Sequence, residues 1–359
     1  MKSAIHIDEI LGLGEKRYFG AGYKQVKHDL CNIHIDPESK RFNAEVSIYY
    51  PSNWSNKETS KELKPHLSTI DVYIISSQLV EAFLSYCQIL TKSEMKNSWI
   101  RKLSIKSGKS SINDLHNIPL EGIYENTEGS INSLNGSIST FKIFLGGFSV
   151  SLELDHPPIK KISNFDVGYF NSIDHVFDYR KTSYYGGQYK NLRHNIVIND
   201  SNKQLLRADI NIIKSSEYSA HDNLGAKYSD YYNPLDILIS CAQLCQVLMY
   251  KIDDLDRKNT KNLWMRSITV YCPKPLLKDG CLPVTVSVDK SKRFKKSGGE
   301  WRMADLSGMT YLDNECYLEA NVAHEVKAAN KIKYRSTSKK CLSFCRVSLR
   351  PKPSVPNTL

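Results

Sequence analysis

Two stretches of the chain carry apolar residues around almost the whole circumference of a helix. In the first, Val72, Ile74, Ile75, Leu79, Val80, Phe83 and Leu84 fall within about 20 residues free of Gly and Pro. That pattern predicts a helix wrapped by other structure, not one laid on a surface. The second, residues 236–250, reads the same way, and Asp71 and Asp236 open the two segments where a helix start favours negative charge. Around the helices the period drops to two. NIHID and FNAEVSIYY precede the first helix, NIVIND and LRADINII the second, and all four predict strands. SWIRKLSIK and LWMRSITVY predict the strands that follow each helix. STFKIFLGGFSVSLELDH continues the first series, and CLPVTVSVD, WRMADLSGMTYL and ECYLEANVAHEV the second. The Ser/Asn/Gly-rich residues 107–138 and the segment KSKRFKKSGG predict loops.

The chain repeats itself. Residues 71–106 align without gaps to 236–271, and nine of the 36 positions are identical, among them Gln78/Gln243, Trp99/Trp264 and Arg101/Arg266. Chance would give roughly two. Upstream, YFGAGYK at 18–24 mirrors YYGGQYK at 184–190, and His28 mirrors His194. A period of this length excludes a solenoid and predicts tandem copies at 1–165 and 166–328, with an extension at 329–359. One long helix enclosed by a curled antiparallel sheet is the hotdog arrangement. The fold expected is therefore α+β, a double hotdog whose two sheets join edge to edge about a pseudo-twofold axis. A β-sandwich has no place for the helix, and ferredoxin-like units would want two helices per copy.

Composition changes this picture little. Of 359 residues 41% are apolar and 24% charged, as in ordinary folded proteins. The net charge is +11, yet nine basic residues and no acid lie between Lys327 and Lys352, which leaves 11 − 9 = +2 elsewhere. The basic excess thus belongs to the extension, and nucleic acid is not an expected partner of the body. Asp8 and Glu9 interrupt any secretory signal, and Asp and Gln interrupt both oily stretches, so a cytoplasmic protein without a membrane span is expected. Nine cysteines with no CxxC predict free buried thiols and no zinc or other metal site.

Each helix also carries a thin polar stripe: Asp71, Gln78, Glu81 and Ser85 in the first, Asp236, Ser240, Gln243 and Gln246 in the second. Buried polar groups must be paired, so the stripe either ties the helix to structure or lines an acyl tunnel under the helix N-terminus. Glu81 can ionise and its counterpart Gln246 cannot; His66 precedes the first helix where Tyr231 precedes the second. His66 and Glu81 are the expected general acid/base pair, with Asp71 beside them. Arg101 and Arg266 either clamp a phosphate or carboxylate or pair with the helix aspartates. Tyr18, Tyr23, Tyr185 and Tyr189 in the glycine turns offer hydroxyls to a polar substrate. No P-loop, G-x-S-x-G or H-E-x-x-H is present.

RYFGAGY, STIDVYIISSQLVEAFL and NPLDILISCAQLCQVLMY resemble the avirulence D family of bacterial proteins, which direct formation of syringolide glycolipids, over residues 10–325. The resemblance implies an acyltransferase or condensing enzyme without cofactor that joins a β-ketoacyl thioester, delivered by acyl carrier protein or coenzyme A, to a pentulose such as xylulose. A more distant likeness to butyrolactone synthases implies the same double hotdog. LVEAFL is also similar to the helix of hotdog dehydratases, which implies the roles of His66 and Glu81, although LSTIDV stands where those enzymes have a Gly/Pro-rich bend. If the polar stripes line the acyl tunnel, Gln78, Asp236 and Gln243 flank the substrate. A thioesterase or dehydratase on this fold, and a non-catalytic module binding through the basic extension, are the alternatives.

Overall fold

The computed structural model describes residues 4–327 apart from 56–63, 160–163, 177–181, 259, 261–262, 297–298 and 311–315; the extension 329–359 lies outside the described residues. The chain runs β1 (Ile5–His6), α1 (Ile7–Leu11), β2 (Lys27–Asp36), β3 (Arg41–Tyr49), α2 (Thr69–Tyr86), α3 (Lys92–Lys96), β4 (Trp99–Lys106), β5 (Ile118–Gly129), β6 (Ser137–Leu145) and β7 (Phe148–His156). The series then starts again with β8 (Gly168–Ser172), β9 (Leu192–Ser201), β10 (Leu205–Lys214), β11 (Tyr231–Tyr232), α4 (Pro234–Ile252), β12 (Trp264–Tyr271) and β13 (Leu276–Leu277). It ends with β14 (Leu282–Lys296), β15 (Gly299–Thr310) and β16 (Tyr317–Lys327).

Fourteen strands form one antiparallel sheet in the order β1-β9-β10-β14-β15-β16-β12-β4-β7-β6-β5-β3-β2-β8. The order is a palindrome of equivalent strands, because β12 and β4 are the same strand of the two copies and pair with each other. Ser104 lies opposite Thr269, its own counterpart 165 residues on, and their hydroxyls meet at 2.9 Å. This is the self-complementary register that a twofold axis requires. Tyr23 and Tyr189, another equivalent pair, stack nearby with ring centroids 6.2 Å apart.

Each half-sheet encloses its helix. All of α2 from Thr69 to Leu84 is buried, and Phe83 stacks on Phe42 of β3 at 4.6 Å and meets Phe141 of β6. Both helices start with a capping box: Ser68 and Asp71 bond reciprocally at α2, Asn233 and Asp236 at α4. By length and composition α4 could cross a membrane, but 83% of its apolar window is buried within the fold, so its oiliness is that of a core helix. The fold is a double hotdog, as the repeat implies.

Three details depart from the sequence reading. The expected boundary after residue 165 puts β8 in the second copy, yet β8 pairs with β2 of the first (Cys31 opposite Ser172), just as β1 pairs with β9 of the second (His6 opposite Val197). Each copy therefore lends its first strand to the other. Residues 107–138 are not one loop: Ile118, Leu120 and Tyr124 alternate inward along β5, a pattern that Gly122 and the polar neighbours mask. KSKRFKK likewise extends β14 into a hairpin with β15. Finally, Cys272 and Cys316 form a disulfide with Cα atoms 4.4 Å apart, because each sits one residue beyond the paired Tyr271 and Tyr317.

Candidate functional site

The functional region begins with how the helix N-termini are held. At α2, Asp71 accepts from the Ser68 amide (3.1 Å), the Ser68 hydroxyl (2.7 Å), His28 Nε2 (2.9 Å) and the hydroxyls of Tyr18 and Tyr50. Burial pushes the Asp71 carboxyl up, but these hydrogen bonds and the charge of His28 outweigh it and leave it below the ordinary carboxylate range. At α4 the same unit recurs, with Asp236 accepting from His194 Nε2 (3.2 Å) and Tyr184 (2.9 Å) and Lys278 at 3.8 Å. His28 and His194, matched by the repeat, thus hold the two helix aspartates in the same way.

Beside the N-terminus of α2 lies a cavity of about 860 Å³, a size typical of small-molecule sites. Its walls come from both copies. Tyr18, Trp54 and the segment His66–Thr69 form one side; Ala242, Cys245 and Gln246 from the middle of α4 form another. Phe148, Met265, Trp301, Met303 and Val322 give it an apolar lining. Thr69, in the first turn of α2, lines it, and the amides of that turn have no intrahelical carbonyl to donate to. Five cations contribute, Arg17, Lys109, Arg257, Arg266 and Lys296, and no carboxylate stands among the described lining residues. Arg17 is 3% exposed; it donates to Gln243 Oε1 at 2.7 Å and pairs with Asp8, while its Nε has no partner. Arg257 bonds the Lys16 carbonyl and Ser55. Burial lowers the proton affinity of both guanidiniums, and at Arg257 the neighbouring Arg17 adds to the effect.

The family model of the Pseudomonas avirulence D protein (AvrD) matches residues 2–326. The chain belongs to the AvrD family. Among solved structures, an acyl-CoA thioesterase II from Mycobacterium marinum is 10% identical, with 82% of this chain and 96% of that one covered and a TM-score of 0.36. The 12:0-ACP thioesterase of Umbellularia californica is 11% identical over 79% and 97%, with a TM-score of 0.37. A bifunctional dehydratase-cyclase domain of ambruticin biosynthesis is 9% identical over 84% and 97%, at 0.29. A search of curated proteins found no match.

In this AvrD-family chain the expected site residues divide. His66, Tyr18 and Arg266 reach the cavity. His66 lies tilted against Trp264, with centroids 5.6 Å apart, and its Nδ1 is 3.4 Å from the Lys64 carbonyl. Glu81 does not join it. The Glu81 carboxylate is fully buried on the other side, where it accepts from the Leu224 amide at 2.6 Å and from Ser183 at 3.4 Å. The asymmetry between Glu81 and Gln246 thus runs opposite to the sequence expectation: the neutral Gln246 faces the cavity and the carboxylate closes the related position. The reason is the twofold packing, which sets the middle of each helix beside the N-terminus of the other.

The remaining candidates are structural in placement. Gln78 donates to the Tyr185 carbonyl at 2.8 Å, and Gln243 holds Arg17. Tyr23, Tyr185 and Tyr189 are each about 2% exposed or less and face protein. Arg101 pairs with Glu153 and Asp155 and not with Asp71. Asp71 and Asp236 sit behind their caps. Burial pushes the Tyr18 hydroxyl well above its ordinary value, with Asp71 adding to the effect, so at neutral pH it is a donor. Sequence reasoning missed Arg17, Arg257 and Lys109. Only the mismatch of Arg17 with Ser183 at the equivalent position of the other turn could have signalled the first.

Proposed function

We propose that this protein is an enzyme that joins a β-ketoacyl thioester to a small sugar such as a pentulose, giving a syringolide- or butenolide-like lipid. The observation that carries the reading is the cavity itself, lined by apolar side chains and by cationic and hydrogen-bonding ones beside a helix N-terminus, with no carboxylate among its described lining residues. The acyl chain lies among Met265, Trp301, Met303 and Val322. The thioester carbonyl sits at the first turn of α2, where the amides that the capping box leaves over, Thr69 first among them, stabilise charge as it builds on oxygen. A sugar hydroxyl attacks the carbonyl carbon, the C–O bond forms as the C–S bond breaks, and His66 carries the hydroxyl proton toward the departing thiolate. The carbon between the two carbonyls of the resulting ester is acidic; its deprotonation and addition to the sugar ketone close the ring. Positioning and one weak base suffice for both steps, which suits a cavity whose described lining holds His66 and no carboxylate.

The test is incubation of a β-ketoacyl thioester with the protein, with and without xylulose, read by mass spectrometry. A product containing both chain and sugar is expected. Free acid as the sole product would replace this reading with that of a thioesterase. His66→Gln is expected to slow product formation about 10²–10⁴-fold with an unchanged melting temperature; full turnover by that variant would remove His66 from the scheme.

A further inference from the structure

The two copies supply an internal control for one arginine. In the first half, Arg101 sits at a β-bulge between Ile100 and Lys102. It is buried and ion-paired: it donates to the Asn132 carbonyl at 3.0 Å and to the Tyr271 hydroxyl at 2.9 Å, and lies 3.8 Å from Glu153 and 3.7 Å from Asp155, while its Nε makes no hydrogen bond. Arg266 occupies the same bulge in the second half, between Met265 and Ser267. The strand registers identify what stands where its partners should be. Lys102 pairs with Glu153 and Ser267 with Asn321; Trp99 pairs with Asp155 and Trp264 with Ala323. The counterpart of Tyr271 is Lys106. Both acids and the tyrosine that hold Arg101 are thus replaced at Arg266 by Asn, Ala and Lys, and Asn321 is turned to Asp305 at 2.6 Å.

Arg266 is exposed at the cavity wall instead. Its Nη1 bonds the Gly108 carbonyl at 3.1 Å, and its own carbonyl accepts from the Ser107 amide at 2.9 Å. This clamp fixes the segment Ser107-Gly108-Lys109-Ser110-Ser111, all of which lines the cavity, against the strand that carries the arginine. Gly108 lies so close to the turn between β6 and β7 that a Cβ there would stand 2.8 Å from the Gly147 carbonyl. Lys296 adds a further cation, and among the described residues no carboxylate lies within ion-pair distance of Arg266. A bulge that aims an arginine from an ion-paired position in one copy to an unpaired cationic edge in the other is how a ligand subsite is made from a structural one.

We propose that Arg266, Lys109 and Lys296, with the serines of 107–111, form a subsite for a phosphate ester at the edge of the cavity. The inference rests on the acyl-thioester reading of that cavity and adds what the cavity recognises there. A dianionic or diester phosphate matches the planar guanidinium fork and the point charges of lysine better than a neutral sugar does. Two reactants could bring such a group: a thioester donor through its pantetheine or nucleotide phosphate, or the acceptor as a sugar phosphate.

The experiment measures binding calorimetrically at fixed ionic strength with four probes: a β-ketoacyl-coenzyme A, the same acyl chain on phosphate-free pantetheine, xylulose and xylulose 5-phosphate. In the wild-type protein the phosphate-bearing member of at least one pair is expected to bind about tenfold or more tightly than its partner. Arg266→Gln and Lys109→Gln are expected to abolish most of that advantage. Lys203→Gln, at an exposed lysine paired with Asp254 away from the cavity, is expected to keep it. The pair that shows the advantage identifies the source. Equal binding within both pairs, or an advantage untouched in Arg266→Gln, or one lost equally in Lys203→Gln, overturns the proposal. Turnover of the pantetheine thioester without any phosphate advantage would leave the functional reading standing while the subsite falls; phosphate advantage for the sugar with no binding of either thioester would do the reverse.

Discussion

Replacing Asp71 by Asn separates a structural from a chemical role for the acid that opens α2. The carboxylate is buried and accepts five hydrogen bonds, from the Ser68 amide and hydroxyl, His28 Nε2, and the hydroxyls of Tyr18 and Tyr50. An amide in its place keeps the shape but can accept at one oxygen only and presents an NH₂ group to donors. With the amide oxygen at the Oδ2 position, which takes four of the five bonds, His28 Nε2 loses its acceptor at Oδ1, so a loss of about 1–3 kcal/mol is expected. That is a measurable share of the 5–15 kcal/mol typical of folded domains. Urea denaturation followed by tryptophan fluorescence measures it. Asp236→Asn is expected to cost about as much, because the same unit caps α4 although the cavity lies beside α2. An Asp71→Asn protein with wild-type stability and no turnover would refute the reasoning and return Asp71 to the chemistry.

Glu81→Gln is expected to destabilise by about 1–3 kcal/mol through the buried Leu224 amide and Ser183 hydroxyl it serves, while the pH dependence of turnover stays as in the wild type; a displaced pH profile would place Glu81 in the reaction. Asp253 is pushed up by burial but held down to about 2 by hydrogen bonds from Arg302, His324 and Arg293. Its folded value lies below its unfolded one, so its contribution is full at neutral pH and is lost as pH falls from about 4 through 2. Thermal melts of Asp253→Asn are therefore expected to run below the wild type at pH 7 by the equivalent of about 1–2 kcal/mol and to converge with it near pH 2; parallel curves would contradict this. Gly22→Ala is expected to unseat the turn before β2, because a Cβ there would stand 1.9 Å from the Trp54 carbonyl. Since Trp54 lines the cavity, the readout is weaker acyl-ligand binding together with a lower melting temperature, and an unchanged affinity would show that the wall does not depend on that close approach.

The architecture was legible because it is written twice. Two all-round apolar helices, each opened by an aspartate and followed by a strand starting at Trp99 or Trp264, carry the repeat, and an enclosed helix needs a sheet long enough to curl around it. The pairing of each copy's first strand with the other copy was not legible. Ile5–His6 and Gly168–Ser172 are short, and nothing in a short alternating run names its neighbour. The site was half legible for a related reason. Tyr18, His66 and Arg266 could be singled out by type and position, but which half of the repeat opens to a ligand depends on side chains that meet only across the twofold. Glu81 and Gln246 occupy one helical position and end in opposite surroundings. Arg17 was signalled only by its mismatch with Ser183, because its partner Gln243 is 226 residues away.

The exchange of β1 and β8 between the halves has a consequence for how the chain can be divided. A cut between residues 159 and 164 would give two fragments, each lacking the strand that covers its outermost edge and each holding one that fits only its sibling. Expressed singly, such fragments present bare β rims prone to sticking together. Expressed jointly, they are complementary by construction, so a split version of this protein should reassemble as an obligate heterodimer with no engineered interface at all.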